Sequence, residues 1–166
     1  MDHLQRLWAP WRTKFLSQRK PRGCIFCIAR RSTKDRQHHV VERGRLVFAI
    51  LNRYPYNNGH VMVAPCRHVG KLDALTDAEW TEILMLTRRL IGRLRRHLRA
   101  QGFNVGLNLG RVGGAGIPGH LHVHLVPRWQ GDTNFIPLFA NTKVISQSLD
   151  ELYRLLARPA PRRRPR

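Results

Sequence analysis

The stretch His120-Leu121-His122-Val123-His124-Leu125-Val126 places three histidines at alternate positions, with aliphatic residues between them. Successive side chains of a β-strand point to opposite faces, so this spacing predicts a strand with all three imidazoles on one face. The aliphatic side chains of Leu121, Val123 and Leu125 would then point into a hydrophobic core. Pro127 is predicted to end the strand pairing, because proline has no N–H to donate.

A glycine-rich loop leads directly into this stretch, with the sequence Gly113-Gly114-Ala115-Gly116-Ile117-Pro118-Gly119. Glycine lets backbone N–H groups approach a phosphate closely. Imidazoles at the mouth of such a loop indicate nucleophilic attack on phosphorus. From the residues alone, an adventitious metal site is the alternative, since imidazole is the commonest metal ligand.

With these features the chain resembles the histidine triad family of hydrolases and transferases. The motif of that family is His-φ-His-φ-His-φ-φ, where φ is apolar, and residues 120–126 match it at every position. The resemblance extends to Leu46–Asn52, Asn58–Pro65 and Phe103–Asn108, and it covers roughly residues 24–136. Two further stretches resemble the bacterial branch that is similar to diadenosine-tetraphosphate phosphorylases, namely Leu7–Arg12 and Pro127–Phe135.

The resemblance implies that the middle histidine, His122, attacks the α-phosphorus of a nucleotide and forms a transient nucleotidyl-imidazole intermediate. Water or another acceptor, such as inorganic phosphate, would then take the nucleotidyl group. The implied catalytic set is completed by His124, His60 and His120. The loop amides and the flanking histidines would stabilise charge on the phosphoryl oxygens.

The resemblance also implies a set of nucleotide-binding residues. Asn52 would lie at the ribose and Asn108 near the phosphates. The remaining members are Gly114, Ala115 and Gly116 of the loop, together with His122 and His124. Many family members carry Gln or Ser where this chain has Gly116, so backbone N–H groups would have to replace a side-chain donor.

A C-x-x-C pair, Cys24-Ile25-Phe26-Cys27, lies near the start of the resembling region. Such a pair can be half of a zinc site, a redox pair or a chance occurrence, and a thioredoxin-like pattern is absent. The resemblance implies a structural zinc held by Cys24, Cys27, His68 and His120. Cys66 is an alternative ligand. If His120 binds zinc, it cannot also donate a proton during catalysis.

The composition is that of one globular domain with a strongly basic balance. The 166 residues include 30 basic and 10 acidic side chains, which gives a net charge of +20. We expect a basic N-terminal arm over residues 1–23, a catalytic domain over 24–157 and a disordered Arg/Pro tail over 158–166. The charge indicates attraction to polyanions, including non-specific nucleic acid through the tail. A general basic bias of the proteome, with Arg in place of Lys, explains it equally well.

The composition also bears on where the protein works. No apolar run is long enough to span a bilayer, and the N-terminus does not look like a signal peptide. The three cysteines without a secretory segment predict a reducing cytoplasm.

The hydrophobic pattern predicts an α+β fold, with an antiparallel sheet of about five strands and one long helix packed on it. The strands are expected over 45–51, 60–65, 103–109 and 120–126. The long helix is expected to begin at a capping box formed by Thr76 and Glu79 and to stop at Gly102. A short helix is expected over 148–157. The resemblance implies a homodimer, across which the sheet would extend.

These observations favour a nucleotidyl hydrolase or transferase that acts on dinucleoside polyphosphates and recognises an AMP-type moiety. One alternative is a hydrolase of nucleoside phosphoramidates or adenylyl sulfate. Another is a nucleic-acid-associated nucleotide-binding protein that uses its basic surface and tail.

Overall fold

The computed structural model describes residues 23–132 and 145–157. Within these ranges the chain forms a five-stranded antiparallel sheet in the order β1-β2-β3-β5-β4. The strands are β1 (Val40–Arg43), β2 (Val47–Leu51), β3 (Val61–Pro65), β4 (Gly102–Leu107) and β5 (Val123–Arg128). The helices are α1 (Ile25–Arg31), α2 (Asp35–His38), α3 (Asp77–Leu98) and α4 (Leu149–Leu156), with a 3₁₀ turn at Leu72–Ala74. The predicted α+β class, antiparallel sheet and long helix are confirmed.

The long helix α3 begins as its sequence predicts. The Thr76 hydroxyl accepts from the N–H of Glu79, and the Glu79 carboxylate accepts from the N–H of Thr76 at 2.9 Å. The helix ends at Leu98 because Arg99 adopts a left-handed conformation with φ 51°. The prediction that Gly102 stops the helix is therefore wrong, since Gly102 opens β4.

The sheet is covered on both faces, which explains why every residue of β2 and β3 is buried. One face packs against α3 and α4 through a cluster that includes Ile83, Leu86, Leu90 and Leu94. The other face packs against α1 through Phe26 and a second apolar cluster. The predicted site residues lie beside this second face.

Strand β5 differs from its prediction at both ends. It begins at Val123, so His120 and His122 precede the ladder. At its other end Pro127 is paired with Phe103 of β4. The carbonyl of Pro127 accepts from Asn57 Nδ2 at 3.1 Å, on the side away from β4. The nitrogen and the carbonyl of a strand residue point to the same side, so the nitrogen of Pro127 also points away from β4. The missing N–H of proline therefore costs no hydrogen bond between β4 and β5. The prediction that Pro127 ends the pairing is wrong.

Three elements at the N-terminal side, α1, α2 and β1, lie where the sequence pattern predicted none. Arg43 of β1 holds α1 in place by donating to the carbonyls of Ala29 at 2.8 Å and Ser32 at 2.8 Å. It also pairs with Asp35 at 2.6 Å. One guanidinium thus joins both short helices to the sheet.

The terminal segments of the prediction lie outside the described residues, apart from Gly23. These are the basic arm 1–23 and the Arg/Pro tail 158–166, so the domain boundaries and the docking of nucleic acid on the tail stay predictions. Among the described helices, none has the length and apolarity that a membrane crossing requires. A cytoplasmic location stays a prediction.

Candidate active site and metal centre

The four predicted catalytic histidines lie in one row of rings. The Phe26 ring lies 4.9 Å from the rings of both His120 and His122, measured between centroids. The His122 and His124 rings are 4.8 Å apart, and those of His124 and His60 are 5.1 Å apart. The structure therefore brings together residues from the triad segment and His60, which immediately precedes β3.

His122 presents a free ring nitrogen. Its Nδ1–H donates to the backbone carbonyl of His120 at 2.8 Å, and since a carbonyl can only accept, the proton is on Nδ1. The lone pair of Nε2 is then available. His122 is only 6% exposed, and this burial lowers its pKa more than the bond to the carbonyl raises it. The ring is neutral and held in one tautomer, as a nitrogen nucleophile requires.

His60 and His124 form a hydrogen-bonded relay with a defined direction. The N–H of Tyr56 donates to Nδ1 of His60 at 3.0 Å, so a neutral His60 carries its proton on Nε2. That Nε2–H donates to Nδ1 of His124 at 2.9 Å. His124 consequently carries its own proton on Nε2. The relay ends in an N–H donor on His124, whose ring neighbours that of His122.

Burial keeps both members of the relay neutral. Desolvation, with smaller contributions from His124 and His122, lowers the pKa of His60 to about 3. Desolvation, with a smaller contribution from His122, lowers the pKa of His124 to about 4. At neutral pH each ring therefore has one proton, and the direction of the relay follows from the peptide N–H alone.

The two predicted asparagines lie at opposite ends of this relay. Asn52 Nδ2 lies 3.3 Å from Nδ1 of His60, and its Oδ1 accepts from the N–H of Tyr54 at 2.9 Å. Asn108 Nδ2 lies 3.5 Å from Nε2 of His124. Asn108 thus lies at the proton-bearing nitrogen of His124, and because two N–H donors cannot bond to each other, its amide has to present the oxygen there. Asn52 lies at the opposite end, next to Nδ1 of His60. Their predicted contacts with ribose and phosphate stay predictions.

The glycine-rich loop forms hydrogen bonds within itself. The N–H of Gly114 donates to the carbonyl of Arg111 at 3.0 Å, and that of Ala115 to the carbonyl of Gly110 at 3.0 Å. Gly116 is exposed. A phosphate would compete with the two internal bonds for these N–H groups. The predicted role of Gly114, Ala115 and Gly116 stays a prediction.

Cys24, Cys27, His68 and His120 form the predicted metal cluster, with all four ligand atoms within 4.8 Å of one another. Nδ1 of His120 lies 3.2 Å from Sγ of Cys24, 3.7 Å from Sγ of Cys27 and 3.3 Å from Nδ1 of His68. Sγ of Cys27 lies 3.3 Å from Nδ1 of His68. A tetrahedral zinc with Zn–S of about 2.3 Å and Zn–N of about 2.05 Å needs S···N edges of roughly 3.6 Å and an N···N edge of roughly 3.3 Å. The donor set therefore fits a four-coordinate metal.

His120 is oriented for ligation by its other ring nitrogen. Its Nε2–H donates to the carbonyl of Pro65 at 2.9 Å, which leaves the lone pair on Nδ1. Both ring nitrogens of His120 thus have partners other than His122, whose Nδ1–H bonds to the backbone carbonyl of His120. Cys66, the alternative ligand, lies outside the cluster and packs against the second apolar core.

A close approach of two backbone segments brings His68 to His120. The N–H of Leu121 donates to the carbonyl of Val69 at 2.7 Å. A Cβ at Gly70 would lie 2.6 Å from the carbonyl oxygen of Pro118, so only glycine fits there. The two cysteines reach the same place because α1 packs on the second face of the sheet.

The sequence prediction missed two residues of this region, Phe26 and Tyr56. Phe26 is completely buried, and its ring packs on two of the histidines. Tyr56 lies beside His60. The only signals were an aromatic residue inside the C-x-x-C pair and two tyrosines around Pro55 in the turn before His60.

Comparisons with known proteins, by sequence and by structure, agree on one family. The model of the HIT domain family matches residues 33–131. A protein named AP-4-A phosphorylase, from two strains of Mycobacterium tuberculosis, is 46% identical over 165 residues, which cover 94% of this chain and 84% of that protein.

Two solved structures have the same fold. A hypothetical histidine triad nucleotide-binding protein from Sulfolobus tokodaii has a TM-score of 0.61 and 29% identity, covering 80% of this chain and 86% of that one. A zinc-bound histidine triad family protein from Mycobacterium smegmatis has a TM-score of 0.63 and 23% identity, covering 80% of this chain and 89% of that one.

We expect His60 and His124 to stay neutral well below the ordinary histidine pKa of 6.5. In ¹H–¹⁵N correlation spectra of histidine-labelled protein, both rings should keep a single proton, on Nε2, at pH 5.5. As the pH falls below 6.5, these two histidines take up protons in the unfolded chain but not in the folded protein. The free energy of unfolding should therefore decrease as the pH is lowered. The urea-unfolded chain, titrating near 6.5, is the reference. Titration of either folded ring near 6.5 would contradict the relay.

Proposed function

Because the chain belongs to the HIT domain family, we propose that it is a nucleotidyl hydrolase or transferase acting on dinucleoside polyphosphates, with diadenosine tetraphosphate as the first candidate. The observation that carries the proposal is the bond from Nδ1–H of His122 to the carbonyl of His120, which leaves Nε2 free as a nucleophile. The relative named AP-4-A phosphorylase supports the substrate class, since it is similar over almost the whole chain.

In the first step, Nε2 of His122 attacks the α-phosphorus of the substrate. A P–N bond forms, the P–O bond to the remaining polyphosphate breaks, and its electron pair leaves with the oxygen. The imidazole keeps its Nδ1 proton and becomes cationic. The carbonyl oxygen of His120, 2.8 Å away, stabilises this charge.

The second step regenerates the enzyme. An oxygen of water or inorganic phosphate attacks the same phosphorus, the P–N bond breaks, and the acceptor releases a proton to solvent. Water yields AMP and ATP from diadenosine tetraphosphate, whereas phosphate yields ADP and ATP. The Nε2–H of His124 donates to a phosphoryl or bridging oxygen in both steps.

Other nucleotide conjugates remain rival substrates. A nucleoside phosphoramidate or adenylyl sulfate would present the same nucleotidyl group to His122 with a different leaving group. Assaying all three substrates and identifying the products decides between them.

We propose that the Cys₂His₂ cluster holds one structural zinc. The distances among the four ligand atoms and the orientation of His120 by Pro65 support this. With four protein ligands the site leaves no position for substrate, so zinc there would act structurally. It would fix the residue whose carbonyl orients the nucleophile.

We also propose that the protein forms a homodimer through β4. This strand lies at the edge of the sheet, and among residues 23–132 and 145–157 no strand pairs with the N–H and C=O groups on its outer side. Val105 in its middle is 51% exposed, although its neighbours Phe103 and Leu107 on the same face pack against the core. On α3, Leu84 and Met85 are also exposed apolar side chains. A second copy pairing at β4 would cover the edge and extend the sheet.

His122→Asn should abolish turnover of diadenosine tetraphosphate, by at least about a thousandfold in kcat, because only the bond-forming nitrogen is removed. Nucleotide binding should stay close to that of wild type. Rapid quenching should trap an acid-labile, alkali-stable nucleotidyl adduct on wild type alone. His97→Asn, an exposed histidine of α3, is the matched control and should retain full activity. Residual turnover within about tenfold of wild type would rule out this mechanism.

Protein purified without chelator should contain one zinc per chain by elemental analysis. Cys24→Ser should lose the metal and unfold at a lower temperature, because the metal joins α1 to the triad segment. Cys66→Ser, which changes the cysteine outside the cluster, should keep both zinc and stability. Wild type without zinc, with cysteines that alkylate freely, would refute the assignment.

Val105→Arg should convert the dimer into a monomer in sedimentation at micromolar concentration, because a charge would be buried at the strand pairing. Val112→Arg introduces the same charge at a fully exposed position and should leave the dimer intact. A wild-type protein that sediments as a monomer would contradict the proposed homodimer.

A further inference from the structure

Tyr56 lies at the open end of the row of histidines. Its ring centroid is 4.8 Å from that of His60 and 5.7 Å from that of His124. The plane of the Tyr56 ring is tilted by 30° from that of His60 and by 35° from that of His124, so Tyr56 packs on both rings in a tilted contact. The side chain is nevertheless 55% exposed. One part of the ring packs on the catalytic histidines and the remainder faces solvent.

The turn that carries Tyr56 is anchored at several points. The N–H of Tyr56 is bonded to His60, and the N–H of His60 donates to the carbonyl of Asn57 at 3.2 Å. Asn57 Nδ2 donates to the carbonyl of Pro127 at 3.1 Å and to Asp132 at 2.7 Å. Gly59 has φ +72°, and a Cβ there would lie 2.5 Å from Leu98. The exposed ring is thus preorganised, and binding to it requires little further ordering.

The order of the rings sets the direction in which a substrate can extend. On one side of His122 the row is closed by Phe26 and the metal cluster. On the other side follow His124, His60 and then Tyr56. In-line attack by His122 puts the departing oxygen on the side of the phosphorus away from Nε2. Donation to that oxygen from the Nε2–H of His124, as in the proposed mechanism, would bring the departing half to the His124 side of the row. The departing half of a long substrate would leave past Tyr56.

We propose that Tyr56 binds the leaving half of a dinucleoside polyphosphate by stacking its ring on the second nucleobase. This inference rests on the proposed function and names the part of the substrate that the exposed ring recognises. Every nucleobase has a π-face, so such a contact selects for the presence of a second nucleoside rather than for a particular base. A stacked base on an aromatic side chain corresponds to roughly tenfold to a hundredfold in affinity.

The test compares diadenosine tetraphosphate with adenosine 5′-tetraphosphate, which lacks the second nucleoside and has a free terminal phosphate in its place; the comparison of variants on each substrate cancels the effect of that extra charge. kcat/KM is measured for wild type, Tyr56→Leu and Tyr56→Phe. The leucine variant should lose about tenfold or more on the dinucleotide, mainly in KM, and less than about twofold on adenosine 5′-tetraphosphate. The phenylalanine variant keeps the ring and should retain wild-type values on both.

The remaining outcomes overturn the proposal in distinguishable ways. An equal loss on both substrates would mean that the ring only orders His60 and His124. No loss on either, or equal kcat/KM of wild type on both substrates, would mean that the second nucleoside is not recognised at Tyr56. A wild type that cleaves neither substrate would remove the proposed function and this inference together.

Discussion

The hydrogen bond between the His122 side chain and the His120 carbonyl determines the chemistry of the whole site. In a regular strand the carbonyls point sideways to neighbouring strands while the side chains stand perpendicular to them. A residue therefore offers its carbonyl to a side chain two positions later only if it lies outside the ladder. His120 and His122 do lie outside it, immediately before Val123. The departure from the strand that the alternating pattern predicts is what holds His122, the proposed nucleophile, in a single tautomer.

The histidines of the site are oriented by backbone groups. Carbonyls of His120 and Pro65 hold Nδ1 of His122 and Nε2 of His120, and the N–H of Tyr56 holds His60. Within the described part of the chain, no carboxylate is among the hydrogen-bond partners of these rings. A neighbouring carboxylate would raise a histidine pKa, and the backbone carbonyls also raise the pKa values of His122 and His120, but burial lowers both by more. The arrangement therefore favours neutral rings at His122, the proposed nucleophile, and at His124, the proposed donor.

The sequence predicted most accurately what depends on local chemistry. The capping box at Thr76 and the spacing of Ile83, Leu90 and Leu94 gave the start and the buried face of α3. The alternating histidines and the C-x-x-C pair gave side chains that the fold does bring together. The second half of the metal cluster came from the resemblance, since a contact across many residues leaves no periodic signal.

What the sequence did not predict depends on tertiary contacts. Pro127 is tolerated in β5 because its backbone nitrogen and carbonyl face away from β4, and the Asn57 side chain donates to that carbonyl. The short elements α1, α2 and β1 are below the length at which periodicity is informative, and they are held by Arg43 and Phe26. In the sequence Tyr56 is only one of several residues in a turn, and its contact with the His60 ring is visible only in the folded structure.

Helix α1 is fastened to the body of the protein at both ends by interactions that need no metal. Phe26 is buried against the sheet near its first turn, and Arg43 donates to the carbonyls of Ala29 and Ser32 at its last turn. The two cysteines are therefore kept near His68 and His120 whether or not an ion joins them. If zinc binds there as proposed, it would add stability to a helix that is already docked, rather than bring that helix into place. Protein stripped of the metal by a chelator would then keep its four ligands in position to bind zinc again.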